Sequence, residues 1–223
     1  MKIQHKLFGT PVYFQHLFFG TPVWLWGLAV AVPLILIGSL ATQSFVALES
    51  FMKDPLALAG RSPFLGAVSN LGVVVWCMTA SIAVFTGLLI SRREKLPDSG
   101  ALFIVCGVLT AVLMLDDLYM FHEDVAPMSL GIPEPLVLAV YAAAGLAYLI
   151  KFARRLRDLQ PALLIVSAAM FATSMLADLL ITDQSTQLAS MSEDGTKFVG
   201  IVAWAAFHIR ACWLAIGPSD GER

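Results

Sequence analysis

The sequence has few charged residues and few cysteines. Charged residues make up 13% of the 223 positions, whereas soluble domains carry about 25%. Acidic and basic residues nearly balance at a formal net charge of -2, so the chain lacks the basic surface that nucleic-acid binding requires. Its three cysteines lie inside apolar runs, without a CxxC pair or the spacing of a disulfide framework. Nucleic-acid-binding proteins and disulfide-stabilised domains are therefore excluded.

Apolar residues are correspondingly abundant, at 58% of the chain against about 45–50% in soluble domains. A single soluble core cannot bury this much apolar surface, so part of it must face lipid. Six apolar stretches are long enough to cross a bilayer, near residues 22–46, 64–90, 101–121, 136–151, 162–182 and 196–216. The sequence therefore predicts an all-α polytopic membrane bundle of about six transmembrane helices.

Proline and glycine mark the breaks between several of these stretches, at Pro97, Pro127, Gly131, Pro133 and Pro161. The first helix is predicted to begin at Pro22, because Thr21 suits the N-cap position and proline the first helical position. The aromatic segment before it is expected to lie along the membrane interface. The predicted organisation is an interfacial segment at 1–21, a six-helix transmembrane domain at 22–216 and a cytoplasmic tail at 217–223.

Basic residues predict the orientation of the chain in the membrane. If six helices alternate in direction, eleven of the fourteen lysines and arginines fall on one side. The three on the other side are Lys53, Arg61 and Lys197. Because basic residues accumulate in cytoplasmic loops, we expect a multi-pass protein of the inner or plasma membrane with both termini in the cytoplasm.

Three aspartates lie inside apolar stretches on the opposite, outer side: Asp116, Asp117 and Asp178. Insertion scales give an acidic residue at the middle of a membrane helix a cost of about 2.5–3.5 kcal/mol. Each carboxylate is therefore expected to have a compensating partner, such as a cation, a shared proton or a hydrogen-bond donor on another helix.

The segment from Met114 to Asp124 carries the densest group of such side chains. Histidine together with carboxylates suits a transition metal, and carboxylates alone suit a hard cation. The sequence therefore predicts a site for a divalent metal ion, such as zinc, with the ligands Asp116, Asp117, His122, Glu123 and Asp178. The alternative is a polar clamp between helices, in which Asp116 or Asp117 pairs with Lys197.

Three short segments resemble the alkaline ceramidase family of membrane hydrolases: Ser69-Asn70-Leu71, Leu115 to Met120, and Trp204 to Ile209. The resemblance implies a seven-helix bundle with a zinc ion held by three histidines, an activated water, and nearby Asp and Ser residues.

By this likeness Asp116 corresponds to the family's aspartate and His208 to the second histidine of its HxxxH motif. These two residues are therefore the candidate catalytic residues. Trp204 stands where the first histidine of that motif belongs, and Val105 stands at the position of the upstream histidine.

The predicted function is that of an integral membrane protein with an acidic, cation-binding site at the outer ends of the third, fifth and sixth predicted helices. The metal would make it a metal-dependent lipid hydrolase. The alternatives are a proton or cation transporter or channel subunit, and a non-catalytic subunit of a larger membrane complex. The expected partners are the lipid bilayer, a lipid substrate and another membrane protein, with no nucleic acid.

Overall fold

The computed structural model of the protein describes residues 23–44, 46–94, 97–180 and 191–217. Every regular element within these ranges is a helix. The chain divides into two compact units, Met1–Leu65 and Gly66–Arg223. The predicted interfacial segment 1–21 lies outside the described residues, as does the predicted tail apart from Gly217.

The first unit contains short helices joined by turns. They are α1 (Val23–Trp26), a π-helical turn (Gly27–Ala31), α2 (Val32–Thr42), α3 (Leu48–Met52) and α4 (Pro55–Leu58). Asp54 caps α4, because its carboxylate accepts hydrogen bonds from the backbone N–H groups of Leu56 and Ala57 at 2.8 and 3.0 Å. Pro55 follows the cap as the first helical residue, a position at which its missing N–H costs nothing.

The second unit contains the long helices. They are α5 (Ala67–Glu94), α6 (Pro97–Tyr119), α7 (Glu134–Asp158), α8 (Ala162–Leu180) and α9 (Thr196–Ile216). A π-helical segment, Phe121–Leu130, joins α6 to α7, and a π-helical turn, Met191–Gly195, precedes α9. Left-handed residues bound the longer segment, with φ of 49° at Met120 and 66° at Gly131.

Four segments of the described chain are long and apolar enough to cross a membrane: Ala67–Arg93, Gly100–Tyr119, Glu134–Asp158 and Met191–Ile216. Two shorter apolar helices, Ala29–Thr42 and Ala162–Asp178, fall on the first and fifth predicted stretches. Within the described residues, each of the six predicted stretches thus overlaps a helix. The prediction of an all-α membrane bundle is confirmed, and the side of the membrane on which the termini lie stays a prediction.

Glycine allows α5 and α6 to pack closely. A Cβ atom on Gly107 would lie 2.8 Å from the carbonyl oxygen of Ala80, and one on Gly87 would lie 2.8 Å from that of Gly100. Such distances are shorter than any stable carbon to oxygen contact, so the two backbones approach each other only because these positions have no side chain. Helix α9 packs against both α5 and α8 and carries much of the buried core, including Trp204 and Phe207.

In the five long helices that the structure describes in the second unit, acidic side chains predominate at one end and basic side chains at the other. The acidic end, as we call it, comprises the end of α6, the start of α7, the end of α8 and the start of α9. The basic end comprises the opposite termini, where the last turns of α5 and α7 contain arginines. There Arg210 of α9 donates hydrogen bonds to the Leu159 carbonyl at 3.0 Å and to Gln160 Oε1 at 2.9 Å, which ties α9 to the turn between α7 and α8.

Candidate functional site

The two adjacent aspartates at the end of α6 have different partners. Successive residues of a helix point about 100° apart, so neighbouring side chains face different helices. The Asp117 carboxylate forms a salt bridge with Lys197 Nζ of α9 at 2.7 Å. It also accepts a hydrogen bond from the Trp76 indole N–H of α5 at 2.9 Å. Asp117 therefore joins three helices, which is the contact expected from the polar-clamp alternative.

Asp116 is buried and is enclosed by hydrogen-bond donors. Tyr141 of α7 donates its hydroxyl to Asp116 Oδ1 at 2.8 Å, and the backbone N–H of His122 donates to the same oxygen at 3.0 Å. The His122 imidazole also binds the other carboxylate oxygen through Nδ1. This contact depends on Met120, whose left-handed backbone turns the chain back toward α6. A short segment after the helix thus compensates the charge of Asp116.

The imidazole of His122 is largely buried beside two acids. Burial alone lowers the pKa of an imidazole, but the hydrogen bond to Asp116 and its negative charge together outweigh burial, and the pKa of His122 is raised above its usual value. Its Nε2 atom lies 3.5 Å from the exposed carboxylate of Glu123. The arrangement therefore favours the protonated imidazolium form of His122.

A cavity of about 470 Å³ opens beside these residues. On α7 its lining residues stand at i, i+3, i+4, i+7, i+8 and i+11 and form one face: Leu138, Tyr141, Ala142, Gly145, Leu146 and Leu149. On α8 a similar face runs through Leu164, Ser167, Ala168, Phe171, Ala172, Met175 and Asp178. The cavity is therefore elongated along the helix axes, and its lining changes from apolar near the basic end to charged at the acidic end.

Carboxylates outnumber cations at the charged end of the cavity. Its lining there includes Asp116, Asp117, Asp178, Glu193, Lys197 and His122. Lys197 is already paired with Asp117. Within the described ranges, the carboxylates of Asp178 and Glu193 form no hydrogen bond or ion pair, although both are partly shielded from solvent. The charged end therefore carries net negative charge even when His122 is protonated.

His208, the second predicted catalytic residue, lies in the core and is completely buried. Its Nδ1 is 2.9 Å from the carbonyl oxygen of Trp204, so this nitrogen must carry the proton. Its Nε2 then accepts the hydroxyl proton of Tyr148 at 2.9 Å. Both ring nitrogens are used in hydrogen bonds, and His208 is not among the residues that line the cavity.

The zinc site implied by the ceramidase resemblance does not fit these residues. The Trp204 indole N–H, at the position of the first histidine, donates to Thr110 Oγ1 at 3.0 Å and offers no lone pair to a metal. Among the predicted ligands, Asp116, His122 and Glu123 lie together, Asp117 faces Lys197, and Asp178 lies across the cavity. Among described residues, no group of three or more His, Cys, Asp or Glu side chains is arranged to hold a metal ion.

Trp76 and the apolar lining of the cavity were not predicted from the sequence. The indole of Trp76 binds Asp117 and stacks on Phe171 of α8, with ring centroids 5.7 Å apart. A tryptophan within an apolar helix gives no signal that distinguishes this role from ordinary packing. The helical spacing of the small residues on α7 and α8 was visible in the sequence, but it is equally typical of close helix packing.

The family model of DUF8692, described as a domain of unknown function, matches residues 23–211. No curated protein and no solved structure matches the chain.

Proposed function

This chain belongs to the DUF8692 family, and we propose that it is an integral membrane protein that binds an amphiphilic molecule in the cavity. The positively charged head of the ligand would lie at the acidic end, between α6, α8 and α9. Its apolar chain would lie along α7 and α8 toward the basic end.

The charge at the acidic end supports a cationic head. Lys197 pairs with Asp117 and His122 with Asp116, so the four carboxylates in the described lining of this end exceed its two cations even when His122 is protonated. Two partly shielded carboxylates that lie close together repel each other. The empty site is therefore higher in free energy than one that holds a cation. A primary or quaternary ammonium group would supply the missing positive charge.

The remainder of the cavity supports an apolar chain. A volume of about 470 Å³ lies within the range of small-molecule sites, which are mostly apolar with a few well-placed polar groups. The proposal depends on two features of one cavity: a continuous apolar face, and the carboxylates of Asp178 and Glu193, which have no partner among the described residues. An inorganic cation alone would leave the apolar part without an occupant.

Ligand binding to the purified protein in lipid nanodiscs tests this proposal. We expect dodecylamine to bind more tightly than dodecanol, which has the same chain without the charge. Replacing the acids Asp178 and Glu193 together, as Asp178→Asn with Glu193→Gln, should weaken amine binding by about tenfold, or about 1.4 kcal/mol, and leave alcohol binding unchanged.

Asp158→Asn provides the matched control, since Asp158 is exposed at the basic end of α7 and should not affect binding. Equal affinity of the unmodified protein for the amine and the alcohol would contradict the proposal.

The predicted divalent metal and lipid hydrolysis are tested with the same preparation. Elemental analysis that finds a stoichiometric divalent ion, lost in Asp116→Ala, would support the metal-dependent hydrolase instead of the amine site. The transporter or channel prediction is tested by ion flux into liposomes, and the subunit prediction by co-purification from membranes.

A further inference from the structure

The cavity has an opening along its side, between α7 and α8. Four of its lining residues are also exposed on the protein surface: Ala142 and Leu146 of α7, and Ala168 and Ala172 of α8. Leu146 exposes 58% of its surface although it lines the cavity. A residue that is both lining and exposed lies at the edge of an opening.

The two sides of this opening lie at the same depth. With a rise of 1.5 Å per residue, Ala142 is about 12 Å from the start of α7, and Ala172 is about 12 Å from the end of α8. Leu146 and Ala168 are both about 18 Å from the acidic end by the same measure. Because the hydrocarbon core of a bilayer is about 30 Å thick, the opening lies near the middle of the membrane and faces lipid tails.

We infer that this opening is a lateral portal through which the apolar chain of the ligand passes between the bilayer and the cavity. The inference rests on the proposed function and adds the route of entry and the class of ligand, a membrane-borne amphiphile with a cationic head. Passage through the portal moves the chain from one apolar environment to another, so its entry requires no exposure to water.

The side chains at the portal distinguish a lipid route from an ion route. All four are apolar, and the exposed residues beside them, Ile150 and Ile165, are apolar as well. An ion or a cationic head crossing here would lose its hydration without a polar group to replace it, so only the chain passes through the portal and the head reaches its site from the acidic end. An alkyl chain needs no such replacement, and the small alanine side chains leave room for it.

The rate at which a long-chain amine enters the cavity tests the portal. In nanodiscs, Ala172→Trp should slow association of dodecylamine by about tenfold, because the indole narrows the opening. Ala142→Trp on the facing helix should have the same effect and serves as a second variant if the first does not fold. Butylamine, which lacks a long chain and dissolves in water, should bind both variants with the affinity of the unmodified protein.

Ala169→Trp and Ala143→Trp are the matched controls, since both alanines are exposed on the same helices and do not line the cavity. These variants should change neither the association rate of dodecylamine nor the affinity for butylamine. Unchanged dodecylamine association in the two portal variants, with butylamine still bound, would overturn the portal but not the head-group site. If the unmodified protein bound neither amine, the proposed function would be overturned and the portal with it.

Discussion

Asp116 and Asp117 show how neighbouring side chains can serve different purposes. Asp117 forms an ion pair between helices that is also held by an indole N–H. Asp116 instead forms a local unit with His122 and the hydroxyl of Tyr141. Two adjacent acids are therefore tolerated because each has its own partners on a different face of α6, not because they share one cation.

The imidazole of His122 should make the stability of the protein depend on pH. Its pKa is raised in the folded protein, so its interaction with Asp116 contributes fully below the ordinary value of 6.5 and is lost as pH rises through the raised value. We expect the free energy of unfolding of the unmodified protein to exceed that of His122→Gln most at mildly acidic pH. Denaturant titrations in detergent over a series of pH values measure this difference.

Glutamine keeps a neutral hydrogen-bond donor at this position, so only the contribution of the charge is removed. If the free energy of unfolding of the unmodified protein exceeded that of His122→Gln by more at higher pH, the assignment of an imidazolium paired with Asp116 would be contradicted.

The sequence allowed one of these contacts to be anticipated. Lys197 was expected at a depth similar to that of the two aspartates, and a buried acid requires a partner, so a pair of Lys197 with Asp116 or Asp117 was one of two expected outcomes. The contact between His122 and Asp116 depends on the left-handed backbone of Met120, a conformation for which methionine has no preference. Local sequence therefore contained no sign of it.

Among the helices, the pair α5 and α6 is held by the closest approach of backbones. We expect Gly107→Ala to destabilise the protein by about 1–3 kcal/mol, because the added methyl group would press on the backbone carbonyl of Ala80. Unfolding in mixed micelles, followed by circular dichroism, measures the loss.

Gly145→Ala in α7 is the matched control, since a Cβ atom there would have no neighbour within 4 Å. This variant should be as stable as the unmodified protein or slightly more so, because alanine favours helix over glycine. If the two variants lost equal stability, close packing of α5 on α6 would not be the cause of the loss in Gly107→Ala.

The limits of the helices could be predicted where proline and glycine determine them. Pro161 separates α7 from α8, and Gly131 with Pro133 precedes α7, as expected. Pro127 lies between the spans that end at Tyr119 and begin at Glu134, as expected, but the connection there is the π-helical segment Phe121–Leu130. The spacing of apolar residues does not reveal a change from α to π hydrogen bonding, so this segment could not be predicted.

For the whole protein, composition alone was enough to predict the fold class. The apolar content and the six long stretches indicate a membrane bundle before any side chain is placed. The cavity could not be predicted in this way, because it depends on the distance between α7 and α8. Small residues at helical spacing are compatible with close contact and with an opening, and only the three-dimensional packing distinguishes the two.

Photolabelling reports directly how a bound amphiphile is oriented in the cavity. A dodecylamine with a photoreactive diazirine at the end of its chain should label the apolar end of the cavity, at Leu149 and Leu164, when the protein is irradiated in nanodiscs and analysed by mass spectrometry. Excess unlabelled dodecylamine should abolish this labelling. Labelling that persists under competition and falls equally on the lipid-facing neighbours Ile150 and Ile165 would contradict a cavity that holds an amphiphile with its head at the acidic end.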